Sequence, residues 1–214
     1  MNMQLVNIWR KNNLETELSN EKLTLLEKYM ELVLHANESL NLTAITARHD
    51  FIVKHIIDSM TITPYLPKNC DLIDVGTGAG FPGVVVKIAC DGLQLTLLEG
   101  KEKKVKFLKD ALGKIELEAE VLHGRSEELP CTSTKRFDVV TARAVGRLDK
   151  LAKSCLPLVK QGGVLLAMKG PYVDDELQEA SGVIKRQKGE VAFVKKLHLP
   201  GGDGRTIVVI NRKS

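Results

Sequence analysis

The sequence predicts an α/β fold with a mainly parallel sheet and a helical extension ahead of it, and three observations predict it. From Cys70 onward, short apolar runs alternate with amphipathic stretches, the pattern of successive βα units. The first of these runs ends in a glycine-rich turn, Asp74-Val75-Gly76-Thr77-Gly78-Ala79-Gly80, that opens a helix. The chain closes on two extended runs joined by Pro200-Gly201-Gly202-Asp203-Gly204-Arg205, which suits a hairpin with a loop longer than the two-residue type. At 214 residues the chain can bury one substantial core but not two large ones, so an extension over 1–69 and a main domain over 70–214 are expected.

Taken in order, Leu23, Leu26, Tyr29, Met30, Val33 and Leu34 recur at helix spacing after Ser19-Asn20, which suit an N-cap. A second helix is expected from Arg48 to Met60. Asn41 to Thr46 between them is short and polar, hence a connecting loop, and Pro64 and Pro67 close the extension. Strands are expected at Leu72 to Val75, Gln94 to Leu98, Ala119 to Leu122, Phe137 to Ala142 and Val164 to Met168. Helices are expected to start near Pro82, Lys101 and Leu148, with another from Tyr172 to Gln187. The final extended runs are Val191 to Leu199 and Thr206 to Asn211.

Composition sets limits on partners and compartment. Lys and Arg exceed Asp and Glu by 31 to 27, a net +4 that is too mild for a protein that simply coats nucleic acid. The excess is local: Lys185 to Lys213 carries eight Lys/Arg against only Glu190 and Asp203. The four cysteines, Cys70, Cys90, Cys131 and Cys155, form no C-x-x-C pair, which argues against a zinc ribbon or a disulfide framework. Met1 to Leu14 has scattered charge and no apolar h-region, and no apolar run approaches membrane length. A soluble, untargeted cytoplasmic monomer is expected, with no metal among five scattered histidines.

The glycine turn fits several nucleotide-like cofactors, because ligands bind at the carboxyl ends of strands in open α/β sheets. Gly78-Ala79-Gly80-Phe81-Pro82-Gly83 satisfies the dinucleotide spacing G-x-G-x-x-G, whereas a P-loop is excluded because no Gly-Lys-Ser/Thr follows. Two acids tilt the choice toward S-adenosylmethionine. Asp74 ends the strand where a carboxylate suits an ammonium and repels a pyrophosphate. Glu99 ends the next strand, where a carboxylate accepts from both ribose hydroxyls, although dinucleotide enzymes place an acid there too.

Absences narrow the chemistry. The loop after the fourth strand reads Thr141-Ala142-Arg143-Ala144-Val145, without the Asp/Asn-Pro-Pro-aromatic sequence used on exocyclic amines. Pro130-Cys131 precedes that strand, the wrong place for a pyrimidine-carbon nucleophile, so Cys131 is read as a loop cysteine. What remains is a nucleophile with a free lone pair, such as guanine N7, which needs alignment and water exclusion but no general base.

Several segments together resemble the RsmG (GidB-type) family: Asn41-Leu42-Thr43-Ala44-Ile45, His55 with Asp58-Ser59, Asp74 to Gly83, Phe137-Asp138-Val139-Val140 with Ala142-Arg143-Ala144, Lys169-Gly170, and Arg205 before Ile207-Val208-Val209-Ile210. The match runs over nearly the whole chain. It implies a class I S-adenosylmethionine-dependent methyltransferase with a Rossmann-like seven-stranded mixed sheet. It also implies N7 methylation of a guanine in the 530 loop (standard position 527) of bacterial 16S rRNA, with the small ribosomal subunit or an assembly intermediate as partner.

Carried over by residue, the resemblance sets Gly76 and Phe81 against the cofactor, Ser126 and Glu127 beside its adenine, and Arg143 at its reacting end as the catalytic residue. Gly78 and Gly80 complete the expected cofactor turn with Asp74 and Glu99. Arg125, Lys169 and Arg205 are expected to grip RNA phosphates, with the glycines ahead of Arg205 leaving its reach open. Lys101, Lys103, Lys104, Lys106 and Lys109 read as a solvated helix face, Met168 as core, and His55 with Asp58 as a local hydrogen-bonded pair that fixes the extension. A small-molecule or protein methyltransferase would call for an aromatic-lined pocket, against an aromatic content of 4%. An inactive ribosome-binding module would not be expected to keep Asp74, the glycines, Glu99 and Arg143.

Overall fold

The computed structural model describes residues 18–129, 135–143 and 146–213. The expectations for Met1 to Leu14, Cys131, Ala144 and Val145 fall outside them. The expected helix after Ser19 is α1 (Asn20–Leu40): Ser19 caps it by accepting from the Lys22 N–H, and Asn41 ends it in the left-handed region at φ 50°. A second helix, α2, is three consecutive segments, Arg48–Phe51, a π-helical turn Ile52–Ile57, and Asp58–Met60. The main domain follows as β1 (Asp71–Val75), α3 (Gly83–Ala89), β2 (Gln94–Glu99), α4 (Glu102–Lys114), β3 (Glu120–His123), β4 (Phe137–Arg143), α5 (Leu148–Cys155), β5 (Val159–Lys169), α6 (Asp174–Arg186), β6 (Gly189–His198) and β7 (Gly204–Arg212).

The sheet has seven strands in the order β3-β2-β1-β4-β5-β7-β6. All neighbours are parallel except β7, which inserts between β5 and β6 antiparallel to both. This is the expected seven-stranded mixed sheet with its closing hairpin. Chain direction across the sheet reverses between β1 and β4, so their carboxyl ends flank a crevice, the usual ligand position in such sheets.

Several boundaries depart from expectation, that of β5 the most. β5 begins at Val159 instead of Val164, because Gly162 at φ 76° and Gly163 read as a break while the strand runs through them. A Cβ on Gly163 would lie 2.7 Å from the Asp138 carbonyl, so the close approach of β4 requires glycine there. The helix expected from Tyr172 starts two residues later, at Asp174.

The extension does not stand apart. Leu23, Leu26, Tyr29, Met30 and Val33 of α1 and Phe51, Ile52 and Ile56 of α2 share one apolar cluster with Leu72, Val84, Leu97 and Leu108. A second cluster on the other face joins Ile73 and Val140 to Leu148 and Leu151 of α5 and Ala180 and Ile184 of α6. Each face of the sheet is thus covered, as a parallel sheet requires.

Candidate active site

The glycine turn is held from below by Asp74. Its side chain is fully buried, and one oxygen accepts from the Thr77 hydroxyl at 2.6 Å and the Gly83 N–H at 2.9 Å, while the other accepts from Thr141 at 3.1 Å. Burial raises the Asp74 pKa to about 6, against the lowering effect of those bonds and of Arg143. One oxygen of this carboxylate thus holds the turn and the start of α3, and the other ties it to β4. Gly76 and Gly78 stand at φ 66° and 63°, a conformation that favours glycine. Gly80, at φ 87°, has a second reason to be glycine: an added Cβ would collide with the Tyr29 hydroxyl, which donates to the Ala79 carbonyl at 2.8 Å.

At the end of β4, Arg143 reaches across to α2. Its Nη1 donates to the Lys54 carbonyl at 3.0 Å and to Asp58 at 3.1 Å, and its Nη2 donates to His55 Nδ1 at 3.0 Å. The π-helical turn makes the first bond possible. The Asp58 N–H turns to the Val53 and His55 carbonyls instead of the Lys54 carbonyl that an α-helix would offer, leaving that oxygen to Arg143.

A guanidinium only donates, so His55 Nδ1 must be the acceptor and its proton must sit on Nε2, which then donates to Thr43 Oγ1 at 2.8 Å. Burial, and then the Arg143 charge, pushes the His55 pKa down to about 3, so the ring is neutral. Its plane stacks on Phe81 at 4.5 Å and 5°, with the Arg143 guanidinium 5.4 Å from the Phe81 centroid.

Two cavities meet at this wall. One, about 220 Å³, is lined by Thr43, Gly76, Thr77, Gly78 and Phe81; the other, about 330 Å³, by Lys54, Asp58, Met168, Lys169 and Arg205. His55 and Arg143 line both. The first is a backbone cradle, the second a pocket walled by cations. A larger cavity of about 820 Å³ lies at the far end of α3, beside Lys22 and Asp91, without the glycine turn or any of these converging groups.

The remaining expected residues divide by location. Glu99, nearly buried, accepts from the Gly78 N–H and the Lys101 N–H, both at 2.9 Å, and so adjoins the glycine cradle. Ser126 is buried and Glu127 exposed on the segment after β3. Arg205 lies in the cation-walled pocket with its Nε 3.2 Å from Asp58. Lys169 joins it, held by Glu176 at 2.7 Å and the Gly146 carbonyl at 2.7 Å. Arg125 does not join them: its Cγ lies near Gly100, beyond β2, and the ends of β3 and β5 are four strand spacings apart, about 19 Å. Four of the α4 lysines are exposed, but Lys104 is half-buried, with its Nζ 3.8 Å from where a Gly78 Cβ would stand. Met168 is core, 4% exposed.

Comparison with known proteins agrees with this geometry. Residues 22–207 match the family model described as GidB, rRNA small subunit methyltransferase G. The chain belongs to that family. Ribosomal RNA small subunit methyltransferase G of Leuconostoc citreum is 37% identical over 208 residues, covering 94% of this chain and 87% of the relative. That of Pelotomaculum thermopropionicum is 40% identical over 201 residues, covering 91% and 84%. Among solved structures, a methyltransferase from Pyrococcus furiosus superposes with a TM-score of 0.60 over 88% of this chain and 98% of its own, at 12% identity. That likeness concerns the fold: a class I methyltransferase sheet.

Within this rRNA small subunit methyltransferase G family member, sequence reasoning undervalued α2. The side chains of His55 and Asp58 do not bond to each other; both turn to Arg143, and Asp58 also pairs with Arg205. Thr43, read as part of a plain loop, carries the far end of the Arg143-His55 chain and accepts the Ile45 N–H at 3.1 Å. The only signal for either was their place in the resemblance, Asn41 to Ile45 and His55 to Ser59.

Proposed function

We propose that this chain methylates N7 of a guanine in the 530 loop of 16S rRNA, using S-adenosylmethionine, in the cytoplasm. The observation that carries this reading is the pair of cavities, glycine-lined and cation-walled, sharing Arg143 and His55. The residues suit the cofactor: a cradle of positive-φ glycines filled by no side chain, Phe81 on its wall and the nearly buried Glu99 carboxylate beside it. Gly76, Gly78, Phe81 and Arg143 would hold its methionine end, Glu99 its ribose and Ser126 with Glu127 its adenine, while Asp74 and Gly80 shape the turn. When bound, it supplies an electrophilic methyl group.

The chain's own contribution is alignment. Three of the five guanidinium N–H groups of Arg143 are taken by Lys54, Asp58 and His55, leaving two to meet a ligand. Lys169 and Arg205 bring positive charge to the second cavity, suited to phosphates, and Arg125 would touch RNA at a separate point. Guanine N7 carries a lone pair and no proton, so neutral His55 has no proton to remove and serves to set Arg143.

Incubation of unmodified small subunits with labelled S-adenosylmethionine, followed by cleavage at N7-methylguanine, should place the label on one guanine of the 530 loop. Label on a pyrimidine, on an amine or on no RNA would sink the reading. The Arg143→Ala variant should lose at least about 100-fold in transfer, as misalignment of reacting groups does.

A further inference from the structure

Tyr172 is 92% exposed, far more than any other large apolar side chain among the described residues. Its backbone is nevertheless pinned on both sides. Pro171 packs against Gly204, where an added Cβ would come within 2.8 Å of the proline ring, and Val173 is fully buried. The segment Gly170-Pro171-Tyr172 leads straight out of the cation-walled cavity, whose lining includes Lys169, Gly170 and, one residue beyond Gly204, Arg205. A rigid turn thus holds a bare aromatic ring at the lip of a basic pocket.

Water gains nothing from that ring, whereas an unpaired base offers a flat π-face of matching size. The neighbouring charges favour a base over a phosphate at this spot. Asp174 is tied to Lys196 at 2.8 Å and Glu176 to Lys169 at 2.7 Å, and Asp175 keeps the ring's helix side negative.

We propose that Tyr172 is a stacking platform for a nucleobase flanking the one that enters the cavity, so that the protein reads a splayed single-stranded segment of its RNA. The proposal rests on the RNA substrate inferred above. Stacking supplies affinity without neutralising charge, so it should leave the salt dependence of binding alone.

The test compares full-length wild type with Tyr172→Ala, Tyr172→Leu and Tyr172→Trp. Filter binding uses protein-free 16S rRNA at several salt concentrations, and steady-state methylation uses small subunits. Alanine and leucine should each weaken RNA binding and raise KM for subunits roughly tenfold. kcat, S-adenosylmethionine affinity and the slope of log Kd against log salt should stay unchanged, and tryptophan should retain wild-type values. Equal rescue by leucine and tryptophan would mean an apolar contact and overturn stacking. So would unchanged RNA binding in the alanine variant, including the case where only subunit KM moves, which would mark a ribosomal protein as the partner. Failure of the RNA reading itself shows separately, as wild type that neither binds rRNA nor transfers label to subunits, and it overturns stacking with it.

Discussion

Asp74 shows how one buried side chain holds the turn above it. Its folded pKa of about 6 lies above its ordinary value of 3.8, so between those values the native state holds a proton that the unfolded chain has lost. The contribution of this group to stability is full below pH 4 and falls as pH rises through 6, by about 3 kcal/mol in all. In Asp74→Asn the amide oxygen keeps the Thr77 and Gly83 bonds, and its NH₂ faces Thr141. Urea denaturation from pH 7 to pH 4 should therefore show wild type gaining on the variant as pH falls. A difference independent of pH would contradict the buried-carboxylate account. The position of Asp74 was plain in the sequence, at a strand end before a glycine cluster. Its role was not, because Thr141 is 67 residues away and only the folded sheet brings it within 3.1 Å.

At the scale of elements, what was legible followed period and punctuation. The strands came through as apolar runs and α1 through its 3.6-residue spacing and Ser19 cap, while the Gly162-Gly163 step hid the first half of β5. The π-helical turn of α2 had no signature, because Ile52 to Ile57 would be as apolar in an α-helix. With it went the exposure of the Lys54 carbonyl and the turning of His55 and Asp58 toward Arg143. The join between α1 and the glycine turn is likewise a matter of contact. Burial, and then the Asp74 charge, drives the Tyr29 pKa far upward, so its hydroxyl is a neutral donor to Ala79. Tyr29→Phe should leave that carbonyl unpaired, cost about 1–3 kcal/mol in thermal or urea unfolding and weaken S-adenosylmethionine binding severalfold in calorimetry. Unchanged cofactor affinity would show that α1 does not shape the turn.

For the whole molecule, the division into an extension over 1–69 and a domain over 70–214 describes chain order better than cohesion. Leu26, Met30, Phe51 and Ile56 are at most 1% exposed and lie in one cluster with Leu72 and Val84, so removing the extension would uncover the apolar side chains it packs against. We expect a 70–214 fragment to be aggregation-prone or to lack a cooperative unfolding transition, read by calorimetry and near-ultraviolet circular dichroism. A fragment with a sharp, reversible transition would show that the sheet and its own helices suffice.

The wall shared by the two cavities has a thermodynamic consequence. A ligand in the glycine cradle and a ligand among the cations both bear on Arg143 and His55, each bonded to the other. If seating one orders that pair for the other, the factor by which cofactor tightens RNA must equal the factor by which RNA tightens cofactor, since both measure one coupling free energy. The two side chains that join the cavities then also carry the cooperativity between their occupants.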